Sequence, residues 1–458
     1  MNRSRHLWKL VLGALVCATD AALVLAAGGV EWKAGAASVV ITPKQPLRMA
    51  GYAARKKPSE GTAMDLYAKV LALEDRRGNR VVIVTSDLLG FPRAVSEPIA
   101  ERVQRRYGLR RERLLFSSSH THSGPVIREA LTAMYALPPE QASAVHNYTE
   151  WLQEQVLELV GAGLKDLAPA RLSLGRGQAD FAINRRQKGE KGVVIGVNPQ
   201  GPVDHEVSVL RVERADGRLR AVLFSYACHN TTLGADNYRL HGDYAGVAQE
   251  ALEKSHPGAL ALFLSGCGGD ANPEPRGTME LVRKHGDSLA AAVEKTLAGP
   301  LRPVAGPLRA VLDRVDLPLA TPPSRQELQA RLEDKDVYRA RHARAMLATL
   351  DEKGRLPTSY PYPIQVLQFD RDLTLVALAG EVVVDYALRL KRELGPDKLW
   401  VAAYCNDVFA YIVSRRVLEE GGYEPVTSMV YYGLPGPWAP EVEETLIRKA
   451  HQLVRKVR

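Results

Sequence analysis

Cysteine is scarce. The 458-residue chain has four, too few at this length for a fold stapled by disulfides. Cys17 sits in an apolar N-terminal stretch. Cys228, Cys267 and Cys405 remain, an odd set that allows one disulfide with a free thiol, or no disulfide. No Cys-x-x-Cys pair occurs, so nothing supports a cysteine zinc ribbon. Long apolar runs are nearly as rare: beyond residue 27 no segment is apolar for long enough to cross a bilayer. Internal repeats, low-complexity tracts and nucleic-acid-binding motifs are missing too, so no nucleic acid is expected as a partner. What is left is an ordinary globular composition, 46% hydrophobic and 25% charged.

The charge balance is basic, with a net charge of +9 and a pI near 9.3. A surface of that sign favours anionic membranes or acidic substrates, so peripheral membrane contact is an open expectation. The excess is spread along the chain, however, and its densest run, 105–113, reads as a helix and turn. At the N-terminus Arg3, Arg5 and Lys9 precede a mostly apolar stretch, 10–27, interrupted by Asp20 and followed by Gly28 and Gly29. That layout predicts a signal peptide over 1–27 and export to the periplasm or medium, with an uncleaved membrane anchor as the alternative.

From residue 28 onward strands and helices alternate. Apolar β-branched runs at 37–42, 67–74, 80–87, 206–212, 220–227, 259–265, 364–369 and 373–378 read as strands. Helical periodicity covers 93–107, 148–167, 244–254, 281–297 and 381–394. The expectation is a single large α/β (mixed α+β) layered domain over 28–458, with mixed sheets and its chemistry at strand ends. A highly charged helical stretch at 324–350 reads as a solvated surface insertion, with a lid over a cleft as the alternative.

Polar clusters recur where predicted strands end. The first is Phe-Ser-Ser-Ser-His-Thr-His-Ser-Gly-Pro at 116–125, which sets His120 and His122 two residues apart. In an extended strand such residues face the same side, a start for a metal or catalytic site; a polar loop with two satisfied histidines is the plainer reading. Others are His229 after a strand, His241-Gly-Asp243, the Gly-rich turn ending in Asp270, Ala-Gly-Glu381, and Cys405-Asn-Asp with Tyr411, followed by Tyr423-Glu424. Histidines, a carboxylate and one open position make a hydrolytic zinc site if the fold gathers them.

Taken in order, these residues resemble the neutral/alkaline ceramidases, zinc amidohydrolases that cleave the amide of N-acylsphingosine. The resemblance rests on His120 to Pro125, Asn184-Arg185, His229, Gly269-Asp270 with Pro273, Gly380-Glu381, Cys405-Asn406, Tyr411-Ile412 and Tyr423-Glu424. It implies Zn2+ held by His120, His229, Glu381 and Tyr411. It implies His122 and Tyr423 at the scissile carbonyl and its oxyanion, Arg185 against substrate, and a lipid or other N-acyl substrate. Asp270 or Asp243 is the expected base.

Three departures stand out. The family carries a catalytic serine in a Gly-Asp-x-Ser-Pro pattern; here Asn272 stands in its place, able to donate a hydrogen bond but not to act as nucleophile or base. The immunoglobulin-like C-terminal domain of longer members has no counterpart before Arg458, and the 324–350 insertion has no evident family equivalent. A non-ceramide N-acyl or ester substrate, or a metal-binding protein without turnover, therefore stays open beside ceramide hydrolysis.

Overall fold

The computed structural model describes residues 31–458; the expected leader lies outside them. Two β-sheets stack face to face with helices on both outer sides. The larger sheet has nine strands. Along its main path they run Leu260–Ser265, Leu219–Tyr226, Glu206–Arg214, Ala168–Gln178, Trp32–Val40, Tyr67–Asp75, Arg80–Ser86 and Leu114–Ser118, and Arg302–Val304 pairs with Ala168–Gln178. Only the outermost pairs are parallel; the inner ones are antiparallel. The second sheet orders Arg309–Pro318, Ser359–Asp370, Leu373–Leu378 and Leu399–Ala402.

Side-chain alternation explains the layers. In Arg80–Ser86, Val82 and Val84 face the helices Arg93–Tyr107 and Pro139–Lys165, while Val81 and Ile83 face the second sheet. Leu367, Leu375 and Trp400 meet them there, and Val366 and Val376 point outward to the helices Val384–Leu394 and Val442–Val457. A strand buried on both faces reads as a continuous apolar run, which is why these strands were legible. Helices Asp243–Ser255 and Met279–Ala298 cover the other half of the large sheet through Phe224, Phe263 and Leu289.

Several boundaries differ from expectation. The 148–167 helix begins earlier, with Pro139 in its first turn, where a missing N–H costs nothing. The 381–394 segment splits into strand Glu381–Val382 and helix Val384–Leu394. The charged insertion is a helical hairpin of Arg325–Ala330 and Val337–Lys353. Cys228, Cys267 and Cys405 are buried and free, so the disulfide alternative falls away. Among the described residues no helix is long and apolar enough to cross a membrane.

Candidate metal and hydrolytic site

The two ends of the large sheet come close together, with Ser265 Oγ donating to Ser118 O at 2.7 Å. The loops that follow Leu114–Ser118, Leu219–Tyr226 and Leu260–Ser265 therefore meet. A parallel bridge, Thr121 to Asn230, ties the first two, and His229 N donates to Ala271 O at 2.9 Å to tie the third. A separate two-stranded sheet supplies the rest. Glu381–Val382 pairs in parallel with Tyr411–Ile412, and the register sets Glu381 opposite Tyr411. Gly380 makes this crossing with φ of 76°; a side chain there would collide with Ala410 O.

His120 and His122 are not on an extended strand. The strand stops at Ser118 and His120 takes φ of 59°, a left-handed conformation unusual outside glycine. The imidazoles converge all the same, with their Nε2 atoms 3.1 Å apart. The convergence comes from the turn, not from strand alternation. Gly51 packs directly on the His122 ring, and the Tyr52 ring lies edge-on to it.

Four buried groups converge around one point. Glu381 Oε2 lies 3.1 Å from His120 Nε2 and 3.0 Å from His229 Nε2, and Tyr411 OH lies 3.1 Å from His229 Nε2. The far nitrogens of both histidines contact carbonyls: His120 Nδ1 meets Leu89 O at 2.6 Å and His229 Nδ1 meets Gly268 O at 2.8 Å. A carbonyl can only accept, so both Nδ1 atoms carry the proton. In the neutral rings each Nε2 then presents a lone pair to an anionic carboxylate oxygen. Three acceptors crowded in this way suit a cation. Their spacing is near the edge of ~3.4 Å of a tetrahedron with Zn–N of about 2.05 Å. His122 brings a third imidazole, and the ring nitrogens of His120, His122 and His229 fall within 4.8 Å of one another.

The electrostatics favour the neutral forms of His229 and His122. Burial first, then the nearby Arg185 charge, pull His229 down to about 4. Burial, with His120 and His229 next, takes His122 well below its ordinary value. Burial opposes ionisation of Glu381; whenever an Nε2 beside it takes up a proton, His120 or His229 donates to the carboxylate and holds it well below the usual range. One consequence is measurable. A histidine whose folded pKa is depressed contributes stability above its unfolded pKa of 6.5 that is lost as pH falls through about 4. The metal-free protein should therefore lose on the order of 3 kcal/mol from His229 between pH 7 and 4. Denaturant unfolding of metal-free wild type and His229→Gln checks this; an undiminished pH slope in the variant contradicts it.

Arg185 lies beneath the cavity. It donates to Glu424 Oε1 at 2.9 Å, to Tyr411 OH at 3.0 Å and to Asn272 Oδ1 at 3.4 Å. Asn272 thus turns its oxygen to Arg185 and keeps its amide N–H groups for the cavity, which Asn272, Tyr423 and His122 help to line. Asp270 and Asp243 sit elsewhere. Asp270 is fully buried, accepts from Val384 N at 2.8 Å and Asn184 Nδ2 at 3.1 Å, and lines no part of the cavity. Burial above all, with Asp385 next, pushes it up to about 6. Asp243 accepts from the backbone N–H groups of Thr232, Leu233 and Tyr244. Both acids hold loops in position, so neither is arranged as the base expected from sequence.

One neighbour of the site, Tyr432, was not foreseen, and for another, Glu424, the partners were not. Tyr432 OH donates to Glu381 Oε1, and Glu424 holds Arg185 and Arg186 together. No spacing rule marks Tyr432. The Tyr423-Glu424 motif flagged Glu424, but not what it binds.

With this geometry in view, comparison with known proteins gives consistent results. The family model described as neutral/alkaline non-lysosomal ceramidase, N-terminal, matches residues 32–303. Neutral ceramidase A of Dictyostelium discoideum is 25% identical over 256 residues, 51% of this chain and 35% of that protein. Neutral ceramidase of Pseudomonas aeruginosa is 25% identical over 238 residues, 49% of this chain and 34% of that protein. The matched stretch thus spans about a third of these relatives' length. The crystal structure of the Pseudomonas aeruginosa neutral ceramidase superposes with a TM-score of 0.72 at 19% identity, covering 93% of this chain and 75% of that one. A ceramidase structure described as complexed with C2 gives 0.71 over 93% and 76%.

Proposed function

This chain belongs to the neutral/alkaline non-lysosomal ceramidase family, and on that premise we propose that it is a zinc-dependent amide hydrolase acting on an N-acyl lipid, ceramide or a relative of it. The observation that carries the reading is the crowding of His120 Nε2, His229 Nε2, Glu381 Oε2 and Tyr411 OH, with both histidines fixed as Nε2 acceptors. His120, His229, Glu381 and Tyr411 would hold the metal. Zinc bound there supplies Lewis acidity, acidifying water and polarising an acyl carbonyl.

The chain's own residues do the rest. Arg185 donates to Tyr411 OH, which favours the phenolate that a metal wants against the burial that disfavours it. Burial pushes the Tyr423 hydroxyl up, so it stays protonated and donates to the oxyanion. Asn272 adds an amide N–H beside it. His122 lines the cavity and stands beside the acyl carbonyl and its oxyanion. Donors held in place for a developing charge each contribute about 10²–10³ in rate. Asn272→Ala should therefore lower kcat about 10²-fold with KM little changed. Steady-state kinetics on one N-acyl substrate decide it; an unchanged kcat removes Asn272 from the oxyanion site.

Asn272 also favours a second reading, a non-ceramide N-acyl or ester substrate, because the family serine is missing. Amine release from ceramide and from a panel of short N-acyl amides and esters tests both. Ceramide as the best substrate by a wide margin ends the second reading. No turnover of any member, with zinc bound, ends the first two and leaves a metal-binding protein without turnover. Export is part of the proposal as well; an exported protein whose first residue lies near Gly28 supports it, and an intact Met1 in the exported fraction argues for an anchor.

A further inference from the structure

The 324–350 insertion does not stand clear of the body as a solvated appendage. Its hairpin has its own small core of Leu328, Ala343, Met346 and Leu356, and the first turns of Val337–Lys353 press on the mouth of the cavity. Tyr338 OH donates to Ala53 O at 2.8 Å and takes Lys56 Nζ at 3.2 Å. Its ring packs edge-on against Tyr431, centroids 5.2 Å apart. One turn on, Arg341 Nη1 donates to Met134 O at 3.3 Å, and His342 Nε2 contacts Leu434 O at 2.6 Å. Positions 338, 341 and 342 share one helix face. Ala53, Met134 and Tyr431 come from three distant stretches of chain, and all three line the cavity. The next residue, Tyr432, is the one bonded to Glu381.

The cavity itself is small, about 240 Å³, below the ~300–1,000 Å³ usual for ligand sites. A long alkyl chain cannot be contained in it and must cross the rim that the insertion braces. We propose that the insertion sets the chain-length selectivity of this site, with Tyr338 as the specificity-determining residue that pins Ala53 and Tyr431. The substrate class it selects is short- to medium-chain N-acyl amides. The inference rests on the hydrolase reading for its substrate, but the pinning of the rim is independent of turnover.

The test is calorimetric titration of the purified protein with linear carboxylates from butanoate to hexadecanoate, in parallel with hydrolysis of the matching N-acyl series. In wild type, affinity rises about fourfold per buried methylene until the cavity is filled, then stops. In Tyr338→Ala and Arg341→Ala the rise continues through longer chains, by about the same fourfold for each further methylene buried. Tyr338→Phe keeps the ring on Tyr431, loses the bond to Ala53 O, and falls between. An unchanged length profile in Tyr338→Ala overturns the proposal, and so does a uniform loss at every length, which reports damage to the fold alone. A shifted binding profile without hydrolysis in any variant keeps the rim assignment and rejects the hydrolase reading. Hydrolysis with an unshifted profile does the reverse.

Discussion

His229→Ala should leave the protein folded but without tightly bound zinc, and amide hydrolysis should fall by at least about 10³-fold. The expectation follows from the position of the residue. His229 is fully buried, its Nδ1 is committed to Gly268 O, and its Nε2 lies within 3.1 Å of both Glu381 Oε2 and Tyr411 OH. His120→Ala should behave alike. Metal content by mass spectrometry, with circular dichroism for the fold, decides the point. Stoichiometric zinc in both variants would contradict the ligand set and favour one in which His122 takes a larger part.

The second large effect concerns stability. Glu424 is almost fully buried and accepts from Arg185, at 2.9 Å, and from Arg186. Arg185 and Arg186 are themselves buried. Taking away one partner of a buried pair leaves the other charge without compensation, which costs about 3–5 kcal/mol, more than the intact pair contributes. Glu424→Ala should therefore destabilise by about 3–5 kcal/mol. Arg186 keeps Glu420 at 3.1 Å, so the larger part of the cost falls on Arg185. Activity should drop too, because Arg185 then no longer points firmly at Tyr411 and Asn272. Denaturant titration gives the stability and kinetics the activity; a loss below about 1 kcal/mol would show that water compensates the arginines.

Much of this was legible in the sequence because burial on both faces writes itself as uninterrupted apolar residues, as in Val81-Val-Ile-Val84. The strand Ala168–Gln178 escaped notice despite its central place in the sheet. Its Arg171, Gly175, Arg176 and Gly177 break the pattern, and the glycines are there because helix Met279–Ala298 approaches through Thr296. The four candidate metal donors were named from motif order, and the fold does bring them together. The roles of Asp270 and Asp243 were not legible. An Asp at a strand end reads the same whether it faces substrate or a helix N-terminus, and only the bond from Val384 N separates the two for Asp270. The insertion misled for a related reason. Its charged composition describes the exposed face, while the few residues that matter, Tyr338, Arg341 and His342, occupy one turn of the other.

One measurement bears most directly on the central claim: amine release from an N-acyl lipid by the purified protein as isolated, after chelation, and after zinc is returned. A zinc amide hydrolase of this architecture loses activity on chelation and regains it with one zinc per chain. Undiminished hydrolysis by the metal-free protein would contradict it, as would a fully zinc-loaded protein that cleaves no N-acyl bond.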